Sequence, residues 1–185
     1  MISIRRARPM DAPAIGEIHA SVWRGTYAGI LPDAYLANMS GQRLSGFYQR
    51  AVFDRREGHA IFVAVAGTDT GGGTVVGFAS GGRARRHGIA EGEVETLYLL
   101  EDWREQGAGR RLMRAMGAHL RAVGCRSAML WVLSENPTRW FYRHLGGREV
   151  AREGIRVGGK AVEQAAFLWD PIEALLAATA PAQER

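Results

Sequence analysis

The segment from residue 93 to residue 120 constrains the fold more than any other part of the chain. Residues 93–100 alternate in polarity and are rich in side chains that suit a pleated sheet, which predicts a strand. From Leu112 onward apolar residues recur at helical spacing, which predicts a helix over 107–123. Between strand and helix lie Gly107 and Gly109, in the frame Arg-x-x-Gly-x-Gly. The sequence therefore predicts a strand, a tight glycine turn and a helix in direct succession.

This succession is typical of an anion-binding site. The first N–H groups of a helix have no acceptor within the helix, and the helix dipole favours negative charge at that end. Gly107 and Gly109 would let the main chain approach a phosphate closely. Arg104 precedes the turn, and Arg110 and Arg111 lie in the first helical turn, where the dipole disfavours a cation unless an anion compensates. The turn therefore predicts phosphate binding, with an ordinary helix start as the alternative.

Two familiar phosphate motifs do not fit this turn. The dinucleotide fingerprint G-x-G-x-x-G needs a glycine at position 112, which is Leu112. The P-loop needs a Gly-Lys pair, and the only lysine of the chain, Lys160, lies far downstream.

A second informative block of the sequence lies over residues 130–147. Residues 130–136 (Leu-Trp-Val-Leu-Ser-Glu-Asn) carry the end of a predicted strand over 127–133 and then Asn136, and Pro137 suits the first turn of a helix that carries Trp-Phe-Tyr over 140–142. Together the two blocks resemble the GCN5-related N-acetyltransferases (GNAT), whose acyl-coenzyme A loop has the motif [R/Q]-x-x-G-x-[G/A]. The resemblance covers about residues 1–170.

The pattern and the resemblance together predict an α/β (α+β) fold with a mixed, mostly antiparallel central sheet and helices on both faces. Strands on either side of helix 107–123 should be parallel, because a crossover helix connects them. We expect one acyltransferase domain over residues 1–172, followed by a short helix and tail over 173–185. The predicted strands are 2–7, 59–66, 74–80, 93–100, 127–133, 148–152 and 164–169. The other predicted features are a helix after Asp11, helices from 33, over 43–56 and over 173–180, a hairpin turn at 71–73 and a loop over 81–92.

Composition narrows the class of protein. A chain of 185 residues suits one domain, and its single cysteine, Cys125, excludes an internal disulfide. No apolar run is long enough to span a bilayer and the N-terminus lacks an apolar signal segment, so we expect a cytoplasmic protein with no membrane partner. The net charge is +5, but the arginines are spread along the chain without an aromatic-interleaved basic ribbon. We therefore expect no nucleic-acid partner, and keep a basic nucleic-acid-binding protein as an alternative.

The resemblance implies acetyl-coenzyme A (acetyl-CoA) as cosubstrate and no metal. Main-chain groups of Leu97 and Leu99 would pair with the pantetheine arm like an added strand, and Asn136 would hydrogen-bond the same arm. The chain departs from the family at Glu105 and Gln106, which replace the usual small and basic residues and would weaken phosphate affinity. The residues implied to hold the pyrophosphate are Arg104, Gln106, Gly107, Ala108, Gly109 and Arg110.

Three residues are candidates for the chemistry. Glu93 and Glu95 share one face of a regular strand, and a carboxylate beside an apolar pocket can accept a proton. By register with the family's glycine motif Glu93 is the closer match to the general base and Glu95 the second, while two surface glutamates are the alternative. Tyr142 is the candidate acid that protonates the leaving thiolate, with core packing as the alternative.

The acceptor side is predicted from an unusual aromatic segment. Trp23, Tyr27 and Tyr35 occur among glycines and a proline, either as a hydrophobic loop against the sheet or as a wall of the acceptor pocket, and the two readings are compatible. The resemblance implies an N-acetyltransferase that moves an acetyl group to a primary amine of a small molecule or peptide by direct attack in a ternary complex. The alternative is a non-catalytic acyl-CoA-binding module or sensor. The resemblance to the family is also compatible with a homodimer.

Overall fold

The computed structural model describes residues 1–53, 58–67 and 73–181. Within them one seven-stranded sheet has the order β1-β2-β3-β4-β5-β7-β6. The strands are β1 (Ile2–Arg6), β2 (Ala60–Ala66), β3 (Thr74–Arg83), β4 (Gly92–Leu99), β5 (Ala128–Leu133), β6 (Arg148–Val157) and β7 (Lys160–Trp169). The α-helices are α1 (Ala12–Thr26), α2 (Asp33–Ala37), α3 (Gly41–Phe53), α4 (Ala108–Ala122), α5 (Arg139–His144) and α6 (Glu173–Ala178). None of these helices has the length and apolar character needed to cross a bilayer.

The pairing confirms the predicted mixed, mostly antiparallel sheet. Every pair of neighbouring strands is antiparallel except β4 and β5, which are parallel. The helix α4 connects those two strands, so the predicted crossover is also confirmed.

Helices cover both faces of the sheet, as predicted. On one face, α1 and α3 pack on β2 and β3, with Ile15 against Val63 and Phe78 in one buried cluster. On the other face lies α4, whose Leu112 belongs to the larger core. The short helix α6 packs on α4 on this face of the sheet. The two helices approach so closely that a Cβ atom on Gly117 would lie 3.0 Å from Leu175.

Some element bounds differ from the predicted ones. The strands predicted over 148–152 and 164–169 extend into a hairpin that turns at Gly158 and Gly159, both at positive φ, so that pairing continues to Val157 and Lys160. The loop predicted over 81–92 is shorter, because β3 continues to pair with β4 as far as Arg83. The last residues of the helix predicted over 43–56 and most of the turn predicted at 71–73 lie outside the described residues.

The strand β4 is irregular where the sheet changes from antiparallel to parallel pairing. It pairs with β5 only through Gly92 and Glu93, although both strands continue. The register with β3 also shifts there, because Gly81 pairs with Val94 and Ser80 pairs with Thr96, which leaves Glu95 as a bulge. A bulge bends and twists its strand. Beyond Glu93, β4 and β5 therefore diverge and leave a cleft between two unpaired strand edges.

Candidate active site

The glycine turn leads from β4 into α4. Gly107 is the N-cap of α4 with φ of 79°, and Glu105 has φ of 60°, which is uncommon for a residue with a side chain. The N–H of Arg111 donates to the carbonyl of Gly107 at 3.1 Å. Because that bond closes the first turn of the helix, the N–H groups of residues 108–110 point out of the helix end. The turn therefore presents a cluster of main-chain donors, as an anion site requires.

Side chains fix this turn on its surroundings. Gln106 Nε2 donates to the carbonyl of Asp102 at 2.8 Å, and Arg104 donates to the hydroxyl of Thr26 at the end of α1 at 3.2 Å. A Cβ atom on Gly107 would meet nothing within 4 Å, whereas one on Gly109 would lie 3.3 Å from Leu99. Gly107 thus faces open space, and Gly109 lets the helix start pack on β4.

The candidate coenzyme residues of β4 and of the β5–α5 connection lie on either side of the cleft. Leu97 and Leu99 are half-buried against the α4 side of the core. Asn136 is buried, and its Nδ2 donates to the hydroxyl of Tyr27 at 3.2 Å. Its Oδ1 accepts from the N–H of Thr138 at 2.9 Å. Asn136 therefore joins the connection after β5 to the end of α1.

The two candidate bases have different environments. Glu93 is buried and is held by Arg85 from the loop between β3 and β4. Arg85 donates from Nη2 to Oε1 at 2.5 Å, from Nε to Oε2 at 3.1 Å and from its main-chain N–H to Oε2 at 3.2 Å. Both carboxylate oxygens are therefore engaged. The sequence analysis gave Arg85 no role in this site.

Glu95 is half-buried at the bulge. Its Oε2 lies 3.6 Å from Nε2 of His59, which directly precedes β2, and its Oε1 lies 3.9 Å from Nε of Arg85. Burial raises the pKa of Glu95, but the contact with His59 and the charges of His59 and Arg85 lower it more, so the pKa lies below its usual range. Glu95 is therefore ionised at neutral pH.

A polar network lies beside Glu95. The hydroxyl of Tyr48 on α3 lies 2.9 Å from Nδ1 of His19 on α1. Burial raises the pKa of Tyr48, and the charge of Glu95 adds to this effect. Burial lowers the pKa of His19 to about 4. Both side chains are therefore neutral at neutral pH, and His19 is a histidine packed among the aromatic side chains of Trp23, Tyr48 and Tyr98.

The predicted aromatic residues lie together. Trp23 and Tyr27 have ring centroids 4.9 Å apart in an edge arrangement, and Tyr35 lies 6.3 Å from Trp23. Trp23 Nε1 donates to the hydroxyl of Tyr98 on β4 at 2.8 Å. The sequence analysis missed the side chain of Tyr98, since in a regular strand it would lie on the other face of the sheet from Glu93. The bulge at Glu95 removes that alternation.

Tyr142 lies on α5 and is buried in the larger core. Its ring packs between Phe141 and Phe167, at centroid distances of 5.5 and 6.0 Å. Burial raises its pKa, and the neighbouring Tyr27 adds to the increase, so the phenol keeps its proton through the neutral range. The position suits both core packing and proton donation.

Comparison with known proteins agrees with this geometry. The family model described as an acetyltransferase (GNAT) domain matches residues 57–146. The Bacillus subtilis (strain 168) protein YuaI, named an uncharacterized N-acetyltransferase, is 30% identical over 177 residues, which cover 95% of this chain and 96% of that protein. The chain belongs to the GNAT acetyltransferase family. This acetyltransferase is also 31% identical over 156 residues to the probable N-acetyltransferase Rv2775 of Mycobacterium tuberculosis (strain ATCC 25618 / H37Rv), across 80% of this chain and 82% of that one.

Solved structures share the fold of the acetyltransferase. The PaiA N-acetyltransferase of Thermoplasma acidophilum, solved in complex with coenzyme A, has a TM-score of 0.66 and 18% identity over 89% of this chain and 98% of its own. YncA of Salmonella typhimurium, solved with acetyl-CoA, has a TM-score of 0.65 and 18% identity over 91% of this chain and 93% of its own. These similarities confirm the predicted GNAT-like architecture.

Proposed function

We propose that the acetyltransferase moves an acetyl group from acetyl-CoA to a primary amine by direct attack within a ternary complex. The main support is the divergence of β4 from β5 beyond Glu93, on the strand that leads into the Gly107 turn. An extended pantetheine arm suits the open edge of β4 at Leu97 and Leu99, and main-chain donors at the start of α4 suit a pyrophosphate. That two structural neighbours carry coenzyme A or acetyl-CoA is consistent with this use of the cleft.

The coenzyme side of the cleft relies on main-chain groups. We assign the pyrophosphate to the N–H groups over residues 106–110, with Arg104 adding positive charge at the entrance. Gly107 leaves space for a phosphate to approach, since a Cβ there would meet nothing within 4 Å. Asn136 holds Tyr27 in place and borders the pantetheine path, so its amide can bond the arm by exchanging that partner.

The contacts favour Glu95 over Glu93 as the general base. Glu93 accepts three hydrogen bonds from Arg85, whereas Glu95 has one contact to His59 at 3.6 Å and a distant one to Arg85. Glu95 accepts a proton from the attacking amine, directly or through water. The new C–N bond forms as the C–S bond breaks, and Tyr142 donates its phenolic proton to the departing sulfur. No side chain becomes acylated in this scheme.

A panel of primary amines tests this proposal. Each amine is mixed with the protein and acetyl-CoA, thiol release is followed, and the product is identified by mass spectrometry. We expect an acetylated amine and intersecting initial-rate patterns, because both substrates bind before any product leaves. The variant Cys125→Ser is the control for a covalent route, and it should turn over at the rate of the unmodified protein since the buried Cys125 thiol takes no part.

The panel also separates this proposal from the sensor alternative. Calorimetric binding of acetyl-CoA with no turnover on any amine would favour a sensor. If titration of acetyl-CoA gives no heat, the assignment of the cleft to this cosubstrate is wrong.

A further inference from the structure

Arg85 is an exposed cation fixed by a buried anion. Its side chain is 63% exposed, while the side chain of its partner Glu93 is 5% exposed. Three hydrogen bonds to one carboxylate, one of them from the main chain, hold both the loop and the guanidinium. A fixed guanidinium loses less conformational freedom when it binds a ligand than a free arginine does. Arg85 is therefore preorganised to bind an anionic group of a ligand.

The guanidinium of Arg85 has N–H donors that Glu93 does not use. A guanidinium has five N–H donors, and Glu93 takes one from Nε and one from Nη2. Among the described residues the other acidic contact is Glu95, whose Oε1 lies 3.9 Å from Nε, beyond hydrogen-bond distance. The two N–H groups of Nη1 and the second of Nη2 therefore remain for a ligand. A guanidinium edge of this kind binds a carboxylate through two parallel hydrogen bonds.

The neighbouring arginine provides a contrast. Arg86 is 67% exposed, but Nη1 donates to both oxygens of Glu153 at 2.7 and 3.0 Å on the surface of β6. Glu153 also accepts from Gln164. Arg86 is thus part of a surface ion pair with Glu153, and of these two arginines it is Arg85 that adjoins both Glu93 and Glu95.

The charges beside Arg85 match those of one class of amine. The proposed base Glu95 and the guanidinium of Arg85 lie side by side, 3.9 Å apart. A free α-amino acid carries an ammonium and a carboxylate separated by one carbon, so the two groups can face Glu95 and Arg85 at the same time. The positive charge of Arg85 also favours loss of the proton from the ammonium before attack. A polyamine lacks the anion and meets like charge at Arg85.

We propose that Arg85 is a specificity-determining residue and that the acceptor is an amine with an adjacent carboxylate, as in a free α-amino acid. This inference rests on the proposed function, because it assumes that the amine is acetylated beside Glu95. It goes further in naming the chemical class of the acceptor and the residue that selects it.

Matched acceptors test the inference on the unmodified protein. The sets are tyrosine, tyrosinamide and tyramine, and leucine, leucinamide and isopentylamine, with spermidine as a polycation. We expect kcat/KM to be at least about tenfold higher for the carboxylate member of a set than for its amide or its decarboxylated amine, as for a charge-assisted pair. The ratio within a set is the readout, since it cancels differences in enzyme activity.

Variants assign that ratio to Arg85. Arg85→Gln should bring the ratio close to one, while the control Arg86→Gln should keep it. Because Arg85→Gln leaves Glu93 buried without its partner, the double variant Arg85→Gln with Glu93→Gln replaces the ion pair by two amides and guards against loss of folding. Binding of acetyl-CoA, measured by calorimetry, confirms that each variant is folded.

Each outcome has a defined meaning. If unmodified protein acetylates amides or spermidine as well as the free amino acids, the inference is overturned while the proposed function stands. The same holds if the carboxylate preference persists in a folded Arg85 variant. If acetyl-CoA binds and none of the amines is acetylated, the proposed function itself fails and the acceptor class fails with it.

Discussion

The two halves of the cleft are made of different groups. The half proposed to bind the coenzyme (the coenzyme half) is main chain: a turn with Glu105 and Gly107 at positive φ, followed by the free N–H groups of a helix start. The half proposed to bind the amine (the acceptor half) consists of side chains from several elements, including His59 before β2, Arg85 after β3 and Glu95 on β4. Main-chain donors carry no titratable group and persist through most substitutions, whereas side-chain networks depend on each member. Substitutions in the acceptor half should therefore change turnover and acceptor choice, and those in the coenzyme half should change acetyl-CoA affinity.

The largest expected effect is the loss of turnover when Glu95 is replaced, compared with the replacement of Glu93 on the same strand. Glu95→Gln should lower kcat by about 100- to 1000-fold, because a general base typically contributes about 10²–10⁴-fold. Affinity for acetyl-CoA should not change, since Glu95 lies in the acceptor half. Steady-state rates and calorimetry on the same preparation measure both quantities.

Glu93→Gln is the matched control for that experiment. It removes the same charge two residues away, and kcat should fall by less than about tenfold if Glu93 serves to hold Arg85 rather than to accept a proton. If Glu93→Gln abolishes turnover and Glu95→Gln does not, the two carboxylates have the opposite roles.

How far the sequence predicts the cleft also differs between its halves. The turn at Gly107 was predictable because its signals are local: an alternating strand, two glycines and a helical repeat that starts at Leu112. The pairing of Arg85 with Glu93 and of His59 with Glu95 was not, because no local pattern fixes which distant side chains meet. The architecture of the sheet was predictable because its strands have local patterns and because the two sequence blocks resemble the GNAT family.

The bulge in β4 explains why the alternating sequence pattern assigns side chains of this strand to the wrong face. Strict alternation would place Val94 and Leu97 on opposite faces of β4, yet both pack in the core on the α4 side. An extra residue at position 95 changes the face of everything that follows on the strand. Sequence alternation could therefore not assign Tyr98 to the acceptor half, where its hydroxyl accepts from Trp23.

Removal of the Tyr142 hydroxyl should affect the chemical step alone if this residue is the proposed acid. Tyr142→Phe should lower kcat by about 10- to 100-fold through loss of a proton donor, and acetyl-CoA affinity should remain within about twofold. The ring contacts with Phe141 and Phe167 persist in the variant, so thermal stability should change little. An unchanged kcat would assign Tyr142 to core packing only. Rates, calorimetry and a melting curve on one preparation make the distinction.

The acceptor half should also show a pH-dependent stability that the coenzyme half lacks. The pKa of His19 is about 4 in the folded protein, below its ordinary value of 6.5, because of burial. Between these values the unfolded chain binds a proton that the folded chain does not, so stability is lost as pH falls from 6.5 towards 4. For this group alone, the free energy of unfolding should be about 2 kcal/mol lower at pH 5 than at pH 7.

Urea denaturation of unmodified protein and of His19→Gln at both pH values isolates this contribution. The amide of the variant can still bond Tyr48 but does not titrate, so its loss of stability between pH 7 and pH 5 should be smaller by about the same amount. Other groups, such as Glu95, titrate in both proteins and cancel in the difference. Equal losses in the two proteins would contradict the assignment.

The smallest effect should come from the coenzyme half, where two glycines form a matched pair. Gly107 has φ of 79° and Gly146, which ends α5, has φ of 76°, and a Cβ on either would meet nothing within 4 Å. Replacing either by Ala should cost about 1 kcal/mol of stability, because a side chain disfavours this conformation. Only Gly107→Ala adds a methyl group where the phosphate is proposed to lie, so it alone should weaken acetyl-CoA binding, by about tenfold, equivalent to about 1.4 kcal/mol. Urea denaturation and calorimetry on the two variants measure both quantities, and equal affinities would show that the pyrophosphate does not lie against the turn.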